Sequence, residues 1–131
     1  MPASAANPGR VFKTAWFAKV AAKTRIRDTE LCTAARQVAL GQADDLGGGV
    51  FKKRLDKNRQ RAIVLLKYGQ TLIYEYLYAK KDRANIDADE LSEFRRLAKS
   101  YAKATDRQIE EMIADRHLVE ICHERQTQIQ E

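Results

Sequence analysis

Three stretches in the middle of the chain, VFKKRL, RAIVLLKY and TLIYEYLYAK, are dense in β-branched and aromatic residues and are separated by only short connections. Residues of this kind pack well on a pleated surface, so the centre of the chain must be a sheet. RAIVLLKY is apolar at consecutive positions through Ile63, Val64, Leu65 and Leu66, which predicts a strand buried on both faces. VFKKRL has a period of two, with Lys52 and Arg54 on one face and Phe51, Lys53 and Leu55 on the other. In TLIYEYLY the same alternation puts Leu72, Tyr74, Tyr76 and Tyr78 on one side. Tyr68-Gly69-Gln70 reads as a tight connection that pairs the last two strands as a hairpin.

Helical patterns flank this sheet. After a short strand, VFKT, the segment AWFAKVAAK has Trp16, Val20 and Lys23 at helical spacing. A second helix is expected to start at Asp28 or Thr29, with Leu31, Ala34, Ala35, Val38 and Ala39 inward, and to stop at Gly41. The stretch QADDLGGG that follows reads as a loop. Downstream, Asp87 and Glu90 have capping-box spacing ahead of Leu91, Phe94, Ala98 and Tyr101, and Thr105 and Gln108 open a shorter helix with Ile109, Met112 and Ile113 inward. The order of helices, sheet and helices predicts an α+β domain: a small antiparallel β-sheet with two N-terminal helices and C-terminal helices.

Charge is concentrated on the sheet. The 33 residues from Phe51 to Arg83 hold 10 of the 24 Lys/Arg and 3 of the 18 acids, a balance of +7, whereas the other 98 residues balance at −1. A folded basic surface suits a polyanion, because each phosphate it neutralises releases counterions. The plainer alternative is a Lys/Arg-rich edge that discourages strand pairing.

The 131 residues make one domain, read as a flexible leader over residues 1–9, a folded domain over 10–123 and a flexible tail over 124–131. MPASAANPG has neither the charged nor the apolar region of a signal peptide. No apolar run approaches the roughly 20 residues needed to span a bilayer, so a soluble protein is expected. Cys32 and Cys122 stand far apart, which suggests two small buried hydrophobes in a reduced cytoplasmic compartment. The glycines at 47–49 lack the Gly-Lys-Ser/Thr ending of a nucleotide loop and precede a strand. The adjoining Cys122 and His123 have no second pair to complete a zinc site. Neither a metal nor another cofactor is expected.

What remains is Lys52, Lys53, Arg54, Arg61, Lys80, Lys81 and Arg83 at strand positions or strand ends. DLGGGVFKKRL, then an Arg opening the next strand, then YAKKDRANID before a helix, resembles the RelE/ParE superfamily of toxins of bacterial type II toxin–antitoxin systems, and within it the RelE-like branch. The likeness runs through roughly residues 10–123. It implies two helices on a small antiparallel sheet, cleavage of mRNA in the ribosomal A site, and partners in the ribosome, mRNA and a cognate antitoxin. The family's basic pair on one strand falls on Lys52 and Arg54, its next Arg on Arg61, and its late basic residues on Lys80, Lys81 and Arg83. Two departures stand out. DKNRQ is shorter than the family's glycine-rich loop, and the family's late catalytic Tyr would fall near Asp87, where this chain has none. Tyr76 and Tyr78 are left either to compensate or to pack in the core.

Such a site works without His. Attack by an RNA 2′-hydroxyl requires a base, stabilisation of a five-coordinate phosphate, and a proton for the leaving 5′-oxygen. Guanidinium stays charged, so Arg54 and Arg61 can clamp phosphate oxygens but cannot take a proton. A lysine among positive charges can, and Lys52 is the best placed. Lys81 or Arg83 would act on the leaving oxygen, with Lys53, Lys57, Arg59, Lys80, Tyr76 and Tyr78 holding RNA. Two other functions share these features: a ParE-like poison of DNA gyrase, and a non-catalytic basic module that binds RNA or DNA.

Overall fold

The computed structural model describes residues 9–67 and 71–122; Tyr68-Gly69-Gln70, His123 and the predicted tail lie outside these, as does all of the leader but Gly9. Among the described residues the order is β1 (Val11–Thr14), α1 (Ala15–Lys23), α2 (Asp28–Ala39), β2 (Asp44–Gly47), β3 (Val50–Leu55), β4 (Gln60–Lys67), β5 (Thr71–Ala79), α3 (Ala88–Lys103), α4 (Asp106–Ala114) and β6 (Leu118–Ile121). The strands form one sheet in the order β2-β3-β4-β5-β1-β6, antiparallel except where β1 lies parallel to β5. The α+β class is as expected. The sheet is larger than the sequence pattern predicts, because Asp44–Gly47 pairs with β3 in place of forming a loop and Leu118–Ile121 adds an edge strand beside β1. No helix among the described residues is long and apolar enough to cross a membrane.

Each face of the sheet carries a core. On one face Phe17 and Ala21 of α1 and Leu31, Ala34, Ala35 and Val38 of α2 cover Leu55, Ala62, Val64, Leu72 and Tyr74. The Tyr74 hydroxyl donates to the Leu31 carbonyl at 2.5 Å, which fixes α2 over β5. On the other face Ala98 of α3 and Ile109 of α4 close over Phe12, Val50, Ile63, Leu65, Ile73 and Tyr78. β4 thus supplies apolar side chains to both cores, as its continuous apolar run requires. The inward residues of α1 are Phe17 and Ala21, not Trp16, which faces solvent. At α2 the N-cap is Arg27, which makes no side-chain cap bond, in place of the expected Asp28 or Thr29. Both C-terminal capping boxes form, on Asp87 with Glu90 and on Thr105 with Gln108.

The tyrosines do not share one side. Ile63 pairs with Tyr76 whereas the next residue, Val64, pairs with Tyr74, so Glu75 is an extra residue in β5. A bulge of this kind reverses the alternation beyond it. Tyr74 consequently packs under α1 and α2, while Tyr76 and Tyr78 turn to the face under α3.

α3 is anchored at its C-terminal end and its middle over that face. The Lys67 amine donates to the Ala102 and Ala104 carbonyls at 3.5 and 2.9 Å, placing a cation on the negative end of the helix. At mid-helix, Arg95 donates to the carbonyls of Leu46 and Gly47. Gly48 makes this possible, since a Cβ there would lie 2.9 Å from Arg95 Cγ. The triple glycine therefore seats a helix. The cysteines also differ from expectation: Cys32 on α2 and Cys122 beyond β6 form a disulfide across 90 residues. Distance in sequence was no obstacle, because β6 returns beside β1 at the sheet edge next to that core.

Candidate nucleic-acid site

Strand register sets the site. Arg54 lies opposite Arg61, which lies opposite Tyr78, and Lys52 lies opposite Ile63, which lies opposite Tyr76. The bulge in β5 brings the two tyrosines onto the face that carries Lys52, Arg54 and Arg61. Lys53 projects the other way, as alternation predicts, and its amine donates to the Gln42 carbonyl at 2.9 Å. Burial, with a smaller contribution from Arg54, holds the Lys53 amine below the usual lysine range.

The segment after β5 folds back over this face. Arg83 forks onto Glu90 at 2.9 and 2.5 Å, donates to the Asn85 carbonyl at 3.0 Å, and reaches the Tyr76 hydroxyl at 3.4 Å. Its guanidinium also lies 5.6 Å above the centre of the Tyr78 ring. Glu90 serves two purposes, since the same carboxylate accepts the Asp87 N–H at 2.8 Å to complete the cap of α3. Arg83 and that backbone bond hold its carboxyl below the usual range. Lys52 donates to the Asn85 side chain at 3.2 Å and has the Asp44 carboxylate at 3.9 Å. Lys52, Arg61, Arg83, Tyr76 and Tyr78 thus converge, with Arg54 exposed at the end of the same row.

Arg61 is 9 % exposed, and its Nη1 donates to the carbonyls of Asn58 and Gln60 at 2.8 and 3.3 Å. Its Nε and Nη2 groups make no hydrogen bond among the described residues, leaving donors for a ligand. The turn that Arg61 braces, Asp56-Lys57-Asn58, is left-handed at all three residues, with φ of 52°, 52° and 73°. Such a run is unfavourable for residues other than Gly. It is held further by Glu30, which accepts the Asp56 N–H at 2.5 Å, and by the Arg59–Asp56 pair at 2.8 Å. Beside it, Lys57, Arg59, Lys80 and Lys81 line an open cleft of about 630 Å³. Four cations from two connections thus flank the Arg61 end of the face.

Tyr78 is 6 % exposed, and its hydroxyl has no hydrogen-bond partner among the described residues. Burial raises its phenol above the usual range, against the opposing effect of Arg61 and Arg83. Tyr76 stacks on Trp16 with ring centres 5.2 Å apart and planes 18° from parallel. Sequence reasoning missed Trp16, Asn85 and Asp44. The exposure of Trp16 was open to a helical count centred on Phe17 and Ala21, whereas the other two depend on how β2 and the segment after β5 are placed against β3 in space.

Over residues 9–121 the sequence matches the profile of the RelE toxin of the RelE / RelB toxin–antitoxin system. The chain belongs to the RelE toxin family. No curated protein and no solved structure matches it significantly. Toxins of this family act within toxin–antitoxin pairs, and the α+β architecture, four helices on a six-stranded, mostly antiparallel sheet, agrees with that membership.

Proposed function

We propose that this RelE-family toxin is a ribosome-dependent mRNA endonuclease of the bacterial cytoplasm, which stops translation and is neutralised by a cognate antitoxin. The observation that carries the reading is the single sheet face bearing Lys52, Arg54, Arg61 and the two tyrosines, with Arg83 closing over it. The Lys52 amine takes the 2′-hydroxyl proton as the 2′-oxygen bonds to phosphorus. Arg54 and Arg61 meet the charge that develops on the phosphate oxygens. The P–O5′ bond then breaks, leaving a 2′,3′-cyclic phosphate, and Lys81 supplies the proton to the 5′-oxygen. Lys81 suits that step better than Arg83, whose guanidinium is occupied by Glu90. No metal or cofactor is required. Lys57, Arg59 and Lys80 follow the RNA backbone along the cleft, and an acidic antitoxin segment laid over the same cations would block it.

One observation favours a second reading. Lys52 and Arg83 already have Asp44 and Glu90 as partners, and a ParE-like gyrase poison needs no free catalytic cluster. Induced expression of the chain with primer extension on cellular mRNA separates the two. Cuts within translated regions that vanish when a reporter's start codon is removed are the expected result. Cuts that persist without translation, or linear plasmid produced with gyrase, would overturn it.

A further inference from the structure

Trp16 is the only tryptophan of the chain and one of three large hydrophobic side chains exposed among the described residues. It contributes nothing to the buried side of α1, which is Phe17 and Ala21. One face of its indole lies nearly parallel on Tyr76, and the side chain is 48 % exposed, so the opposite face is open. The ring beneath it is held in place: Phe94 of α3 packs on Tyr76 at 5.8 Å and Arg83 bonds its hydroxyl. Tyr76 shares its row of the sheet with Lys52. Along α1, Lys19 and Lys23 stand exposed three and seven residues beyond Trp16, on the same side of the helix. A rigid aromatic plane with cations on both sides is the arrangement that captures single-stranded nucleic acid, since every base has a face to stack and every linkage a phosphate. A protein partner would instead favour an apolar surround for the indole.

We propose that Trp16 is a substrate-positioning residue whose open face stacks on an unpaired RNA base while the Lys52–Arg61 cluster and the α1 lysines hold the neighbouring phosphates. The choice of RNA rests on the nuclease reading above. The stack would fix the strand so that one phosphate lies over Arg61.

Because Trp16 is the sole tryptophan, its emission reports the contact directly. The intact protein is titrated at low salt with a 2′-O-methylated, uncleavable single-stranded RNA of nine nucleotides. Quenched emission is expected, with binding weakened about tenfold in Trp16→Ala and largely kept in Trp16→Phe. Trp16→Phe should keep a thermal midpoint near that of the wild type, and Trp16→Ala, which loses the stack on Tyr76, should still be fully folded at the titration temperature. On programmed ribosomes Trp16→Ala should raise KM more than it lowers kcat. Unchanged emission at every RNA concentration, or equal affinity of Trp16→Ala and wild type, would overturn the proposal even if the wild type cuts mRNA. A quenched, Trp16-dependent complex from a wild type that never cuts would support the stacking role and sink the nuclease reading instead. Loss of antitoxin binding in Trp16→Ala with RNA affinity intact would assign the indole to a protein interface and overturn it.

Discussion

Breaking the Cys32–Cys122 disulfide tests how far this sheet depends on a covalent tie. The bridge closes a segment of 90 residues that contains every strand but β1. In the chain-entropy account, cross-linking a loop of that length removes about 15 cal/mol/K from the unfolded ensemble, worth about 4.6 kcal/mol at 25 °C. Domains are stable by only about 5–15 kcal/mol, so reduction should remove a large share of the total. With a urea slope of about 2 kcal/mol/M, the unfolding midpoint should fall by about 2 M. The assay is urea unfolding of oxidised protein, dithiothreitol-reduced protein and the Cys32→Ser/Cys122→Ser double variant. The last two should coincide. A midpoint that stays put on reduction would refute the reasoning, because it would mean that docking of β6 on β1 holds the ends together unaided. The outcome bears on function, since the cytoplasm keeps most thiols reduced and a toxin acting on ribosomes would have to hold its fold there without the bridge.

Within the site, Lys52→Ala should abolish most cleavage on programmed ribosomes while Lys53→Ala does little, because Lys53 points to the opposite face and binds the Gln42 carbonyl; equal damage from both would reduce the cluster to diffuse charge. Arg61→Ala should lower the rate by about 10²–10³ with ribosome binding kept, by analogy with a lost oxyanion donor. Glu75, at the bulge, has a buried carboxylate oxygen without a partner, and burial pushes its pKa up to about 7 from 4.5. Folding therefore favours its protonated form, so its contribution is complete below pH 4.5 and is lost as pH rises through 7. The full linkage is about 3 kcal/mol, and partial contact with solvent brings the expected gain of Glu75→Gln at pH 8 to about 1–2 kcal/mol. The two proteins should be equally stable near pH 4, and a gain at pH 4 as large as at pH 8 would contradict this assignment.

Much of the fold was legible where local signals agree. The apolar run of β4, the alternation of VFKKRL and both capping boxes each state their structure within a few residues, and each formed. Placement failed where the deciding interaction is distant. DDLG is polar and glycine-bearing and becomes a strand only because β3 offers it an edge. LVEI is too short to announce itself and is fixed by β1 on one side and by the Arg10–Glu120 pair at 2.8 Å. The bulge at Glu75 leaves no periodic trace, since Tyr-Glu-Tyr alternates as well as any strand, yet it decides which tyrosines face the cations. Of the site, strand alternation gave the shared face of Lys52 and Arg54. Two of the acids that answer the cations, Asp44 and Glu90, lie on β2 and α3, beyond the reach of spacing rules.

Those acids shape how an anion would engage the face. Lys52 has Asp44, Arg59 has Asp56 and Arg83 has Glu90, whereas Arg54, Lys57, Lys80 and Lys81 are exposed and have no ion pair among the described residues. Exposed cations act at longer range and steer encounter, and their effect fades with salt over a Debye length of about 8–10 Å. An RNA strand would therefore meet Lys57, Lys80 and Lys81 in the cleft first and the paired cations only on closer approach. Arg61 differs from both groups, being buried yet bonded only to backbone carbonyls, so no carboxylate must be displaced before its free donors meet a phosphate. Binding and chemistry should accordingly divide between two sets of cations, the exposed cleft governing association and Arg61 with Lys52 governing the bond that breaks.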